Sequence, residues 1–222
     1  SSSTSTRAPV NEIYAQLAAP PFGLRSGIAP IFFMAALIIH ADEIALYEHG
    51  TFKPRFDDAL VERLLRNPQN FAIKHFASRT GARSLFLTTA SEHLNLPTGR
   101  IRKNQRVGGV LTVISNLLST VTTIPTHIQK TKRLSKETLA IRKVLLSATE
   151  PDELLFSALP QILGYKTLAA RSKYEKEDID SLSQSLAEAM TELRFAYPSL
   201  LDSIRTELSK ALHAPQIGRA HV

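Results

Sequence analysis

Cysteine and tryptophan are absent from this chain, methionine occurs twice, and aromatic residues make up only 7% of it. Without a thiol there is no disulfide framework, no thiolate zinc site and no cysteine nucleophile. A reducing compartment fits that composition. Long hydrophobic runs are missing too: the longest, Ile28 to Ile39, has 12 residues, against the roughly 20 that a membrane-spanning helix needs. No basic segment precedes it and no small-residue cleavage site follows, so a secretory signal is not indicated. The expected location is cytoplasmic.

What is present is enough apolar material for a sizeable core: 43% of 222 residues are hydrophobic, which length alone allows to form one large domain or two small ones. Only residues 1–10 are polar enough to be a flexible linker. Residues 11–78 are expected to form a small winged-helix-like α+β module, and 79–213 a helical domain. Residues 214–222 are expected to be a tail, with Ile217 to Val222 resembling non-native read-through.

The module is organised around Ile44-Ala-Leu-Tyr-Glu-His-Gly-Thr-Phe-Lys-Pro54, two strand-like runs meeting at His49-Gly50, where glycine supplies the positive φ of a two-residue hairpin loop. Ile44, Leu46 and Phe52 are expected to face the core, and Glu48 and Lys53 solvent. Pro54 marks an edge or an end. Before the hairpin, Ser26 is expected to cap a helix running to about Glu43, apolar on every face and therefore covered all round. After it, Asp57-Asp58 opens a helix with Leu60, Val61, Leu64 and Leu65 buried. Phe71 to Phe76 alternates as a strand with Phe71, Ile73 and His75 on one side. These signals predict a three-stranded antiparallel sheet with helices on it. A helix between the hairpin and the last strand departs from the usual winged-helix order and argues against insertion into a DNA groove.

Beyond Thr80 the spacing is helical. Val107, Val110, Leu111, Ile114, Leu117, Leu118 and Val121 recur at three- and four-residue steps, and Pro125 ends that helix. Ser135 caps the next, and Thr149 and Asp152 have capping-box spacing with Pro151 early in the helix. Two amphipathic helices follow, separated at Pro198, which predicts an antiparallel helical hairpin.

The segments Pro21-Phe-Gly-Leu-Arg-Ser-Gly27, Ala45 to Phe52, Lys130-Thr-Lys-Arg-Leu-Ser135, Pro151-Asp-Glu-Leu-Leu-Phe156 and Tyr197-Pro-Ser-Leu-Leu201 together resemble the C-terminal regions of large bacterial P-loop ATP-binding proteins. Some of those are similar to proteins of phage-defence and restriction-type systems. The resemblance implies an accessory region attached to an upstream ATPase domain of the same polypeptide, and it carries over no functional residue.

Catalytic signatures fail on inspection of the residues. Gly108-Gly109 is followed by Val110-Leu111 and lacks the lysine of a phosphate loop. The histidines at 40, 49, 75, 93, 127, 213 and 221 never pair around a glutamate at helical spacing, and no Gly-x-Ser-x-Gly occurs. Pro151-Asp152 could open a nuclease-like acid pair, but no acid-x-lysine triplet follows at Glu175 or Glu177. His40, Asp42 and Glu43 could suggest metal ligation, yet an exposed helix end accounts for them. No cofactor is expected in this chain.

Charge is the informative feature. Residues 100–143 hold ten Lys or Arg against the single acid Glu137, a net of +9, so the rest of the chain, 7 minus 9, carries −2. Arg100, Arg102, Lys103 and Arg106 precede the helix that starts near Val107; Lys130, Lys132 and Arg133 follow it. Lysine and arginine at loop and helix ends suit sequence-independent contact with phosphates of double-stranded DNA, while the lack of interleaved aromatics argues against single-strand stacking. The same charges serve equally as solvated loops or as a match to an acidic face elsewhere in the polypeptide. The expectation is a non-catalytic accessory region that engages DNA or couples an ATPase to a partner, or alternatively a protein–protein scaffold.

Overall fold

The computed structural model describes residues 7–40, 43–54, 56–76, 81–96, 109–125, 133–147, 149–169 and 174–212. The chain is mainly helical with one small four-stranded antiparallel sheet. Its elements run β1 (Ala8–Pro9), α1 (Val10–Ala18), α2 (Ala29–Ile39), β2 (Ile44–Glu48), β3 (Thr51–Lys53), α3 (Asp58–Arg66) and β4 (Phe71–His75). Then come α4 (Gly81–His93), α5 (Val110–Thr123), α6 (Lys136–Ser147), α7 (Pro151–Glu153), a π-helical turn (Leu154–Ala158), α8 (Leu159–Ile162) and α9 (Lys176–Ala211).

The sheet has the order β1-β4-β2-β3. His49 and Gly50 both take positive φ, 49° and 76°, which closes the β2–β3 hairpin in two residues. The expected three strands gain a fourth, because Ala8 pairs with Ile73 and Pro9 with Ala72. Arg7 to Val10 thus belong to the fold, contrary to the linker expected over residues 1–10, and Val10 is fully buried.

Register explains why both faces of the sheet are covered. Leu46 pairs with Ile73 and Glu48 with Phe71, while Ala45 pairs with Lys74 and Tyr47 with both Ala72 and Phe52. Alternation therefore sends Leu46 and Phe71 to one face and Ala45, Tyr47 and Lys74 to the other. The first face meets α1, α2 and α3 in a core of Val10, Phe33, Leu37, Leu46, Leu60, Leu64 and Phe71. The second meets the helices beyond Gly81 in a larger core, to which Ala45, Tyr47 and Phe76 contribute. Among the described residues, this larger core draws on both sides of the boundary expected near residue 78.

Several local expectations change. Phe52 packs against the larger core, opposite to Leu46. Glu48 is buried, held by Arg63 at 2.6 Å and Lys53 at 3.1 Å. Helix α3 opens at Asp57-Asp58 as expected, with Asp57 also capping it by accepting from the Leu60 amide at 2.7 Å, but Leu65 is exposed. Helix α2 begins after Ile28 with no side-chain cap, so Ser26 does not serve, and it is covered on one face only. Ser135 does cap α6, its Oγ accepting from the Thr138 amide at 3.2 Å. At α7 the N-cap is Glu150 and no side chain caps it, so the Thr149–Asp152 box does not form.

The largest difference is α9. The expected hairpin is one helix of 36 residues with Pro198 inside it. Proline removes one backbone donor and crowds the carbonyl four residues back, a cost borne here because good helix formers surround it. The first half of α9 packs on α4, α5 and α6; beyond Phe195 its side chains are mostly exposed.

Candidate functional site

Of the residues expected to touch nucleic acid, Arg133 alone lies in the described part, where it is exposed; Arg100, Arg102, Lys103, Arg106, Lys130 and Lys132 lie outside the described residues. Their attachment points are nonetheless fixed. The first cluster lies between buried Leu96, just after α4, and buried Gly109, the N-cap of α5. The second leaves from Pro125, at the far end of α5. With 14 residues, α5 separates the two departures by about 21 Å at 1.5 Å per residue.

The second cluster starts and returns beside α9. Ile124 and Pro125 share a cleft of about 480 Å³ with Ser119, Thr120, Thr123, Leu193, Arg194, Tyr197 and Pro198. Ser119, Thr120 and Thr123 donate their hydroxyl protons to carbonyls of their own helix, which leaves lone pairs to the cleft. Arg194 is anchored by a 3.2 Å bond to the Asn116 amide oxygen. At the returning end, Glu192 accepts from the Ser135 amide and Ser135 Oγ, both at 2.8 Å, and from the Thr138 hydroxyl. Burial would raise the Glu192 carboxyl, but these donors outweigh it and lower its pKa. Pro125 and Ser135, the residues that flank the second basic segment, thus both lie beside α9.

A second polar assembly lies between sheet and helices, and no local sequence signal announces it. Lys74, buried in β4, donates to Glu150 at 2.8 Å and Asp152 at 3.0 Å. Tyr47 donates to Glu150 at 3.0 Å, and Arg7 donates both to Glu150 and, at 3.1 Å, to the Gly50 carbonyl. The Arg7 guanidinium also lies 4.0 Å from the centre of the Tyr47 ring. Nearby, Arg83 stacks on Phe156 and donates to the Leu168 carbonyl at 2.8 Å.

Protonation follows from these partners. Burial works against the Lys74 ammonium, yet the two carboxylates prevail and its pKa is raised. Glu150 is likewise opposed by burial but lowered by Lys74, Arg7 and Tyr47. Burial, then the Glu150 charge, pushes the Tyr47 phenol far up. The lysine thus stays charged, the acid ionised and the phenol protonated. None is poised near neutrality for proton transfer, and Lys74, Tyr47 and Glu150 are all engaged in closing two layers.

Glu43, considered with His40 and Asp42, is buried with His40 Nδ1 at 3.7 Å and His75 Nε2 at 3.8 Å from one carboxylate oxygen; Asp42 lies outside the described residues. Among the described residues no cluster of acids and histidines is arranged to hold a metal, and none of the helices is long and apolar enough to cross a membrane. No protein-family model, curated protein or solved structure matches this chain.

Proposed function

We propose that this chain is a non-catalytic accessory region of a larger ATP-binding protein, and that it engages double-stranded DNA through the basic segments at the two ends of α5. The observation that carries the reading is charge: +9 within residues 100–143 against −2 elsewhere. The first segment is flanked by Leu96 and Gly109 and the second by Pro125 and Ser135, all at helix ends, and lysine and arginine near such ends suit contact with phosphates. The saturated Lys74–Glu150–Asp152 cluster supports a structural rather than a chemical role for the one dense polar assembly. ATP hydrolysis, on this reading, belongs to an upstream domain of the same polypeptide.

The test is fluorescence anisotropy with a labelled duplex at low and moderate salt. Replacing Arg100, Arg102, Lys103, Lys132 and Arg133 with glutamine should weaken binding at least about tenfold, and binding should fall steeply with salt. Affinity untouched by either change overturns the reading. A scaffold that binds protein without DNA is favoured by the exposed apolar faces of α2 and α9. Capture of the upstream ATP-binding domain by a chain with no duplex affinity would select it.

A further inference from the structure

Helix α2 turns a broad apolar face to solvent. Its inner side, Ala29, Phe33 and Leu37, is buried, and Tyr14 packs edge-on against Phe33 with ring centres 5.5 Å apart. Ile28, Ile31, Phe32, Ala35, Ile38 and Ile39 fall on the opposite side, and all are exposed, Ile31 at 67% and Phe32 at 57%. Phe22, on the turn before, is 65% exposed. Taken with side-chain areas near 200 Å², these residues leave on the order of 700 Å² of apolar surface uncovered, above the few hundred that monomers usually show.

We propose that this face is the two-fold interface of a homodimer. Four considerations select a second copy as the occupant. The pattern is symmetric about Ala35: Ile31 and Phe32 lie four and three residues before it, Ile38 and Ile39 three and four after it. A two-fold axis through Ala35 sets Ile31 against Ile39 of the other copy and Phe32 against Ile38, with alanine on alanine at the crossing, where small side chains let helices approach to about 8 Å. Self-association also places like charges together, but residues 26–39 contain none. Antiparallel α2 helices further bring each N-terminus toward the other's C-terminus, a favourable alignment of dipoles. Finally, covering the face on both copies removes about 1,400 Å², within the 1,200–2,000 Å² of stable interfaces.

The other exposed stripe, Leu201, Ile204, Leu208 and Leu212 on α9, is interleaved with charged residues, among them Asp202, Arg205, Glu207 and Lys210.

Sedimentation equilibrium of the whole chain at micromolar concentration should give twice the monomer mass. Ile31→Lys and Ile39→Glu should each weaken association at least about tenfold by burying an unmatched charge, and the two combined should regain most of it, because lysine then faces glutamate across the axis. Circular dichroism melts monitor the fold of each variant. The chain has no cysteine, so Ala35→Cys supplies a single thiol that should cross-link to completion under mild oxidation, while Ser203→Cys on α9 should not. A monomer at these concentrations overturns the proposal, as does a dimer indifferent to both charge variants. A monomer that co-floats with phosphatidylcholine vesicles overturns it too and assigns the face to a bilayer.

Discussion

Removing the Lys74 ammonium would leave Glu150 and Asp152 without their shared cation, and Glu150 with only Arg7 and Tyr47 as donors. Breaking a fully buried pair costs roughly 3–5 kcal/mol; because both acids keep some contact with water, Lys74→Met should lower stability by about 2–3 kcal/mol in urea unfolding. Glu48 makes a separate prediction about pH. The Arg63 side chain, then Lys53, holds its carboxyl down to about 2, against an ordinary 4.5. A carboxyl depressed in the folded state binds its proton more readily when unfolded, so its contribution is complete above about pH 4.5 and is lost as pH falls toward about 2. Glu48→Gln should therefore flatten stability across that window, as urea titrations at stepped pH would register. Neither residue announces itself in the sequence. Glu48 follows the alternation that predicts a solvated position, and Glu150 resembles an ordinary first-turn acid. Their partners settle the matter, and for Glu150 those lie 76, 103 and 143 residues away, beyond any local window.

Helices were legible wherever periodicity and stop signals agree. In α5, Val110, Ile114, Leu117 and Val121 are all buried as their spacing predicts. Asp57 and Ser135 cap the helices they precede. Boundaries failed where one signal was allowed to decide alone. Pro198 stands as a breaker in the sequence, yet α9 continues through it because helix formation is cooperative on both sides. The segment beyond it adds little to the core, so the energetic effect of this proline is local. Pro198→Ala restores a donor for the Arg194 carbonyl, and amide exchange across residues 199–211 should slow by roughly one to two orders of magnitude, with the global melting temperature nearly unchanged. For α2, composition alone predicts full coverage, because hydrophobicity records that a face avoids water without recording what covers it.

Across the whole molecule, the sheet is the common wall of two cores, and so buried side chains from either side of residue 78 pack together. Tyr47 and Lys74 are the points at which this shows. Charge is distributed on the same scale: in sequence, a basic band of net +9 over residues 100–143 stands against −2 for the rest of the chain. If that band neutralises phosphates, each contact contributes about 0.9 to the slope of log affinity against log salt, so glutamine at Lys130, Lys132 and Arg133 should reduce the slope by up to about 3. Duplex titrations at four or five salt concentrations would measure it. This much followed from counting residues. That Ser135 ties the returning end of the second segment to Glu192 did not, because a serine before a helix already has a local explanation as a cap.

The edges of the sheet limit how copies of this chain can come together. Its outer strands are two and three residues long; β1 contains Pro9, and Pro54 follows β3 directly. Short margins with proline offer few backbone donors and acceptors to an incoming strand, which is how natural sheets resist growing into one another. Strand exchange and fibre-like stacking are disfavoured at both borders. A regular assembly is left to the helices, whose side-chain surfaces, unlike a bare backbone edge, discriminate one neighbour from another.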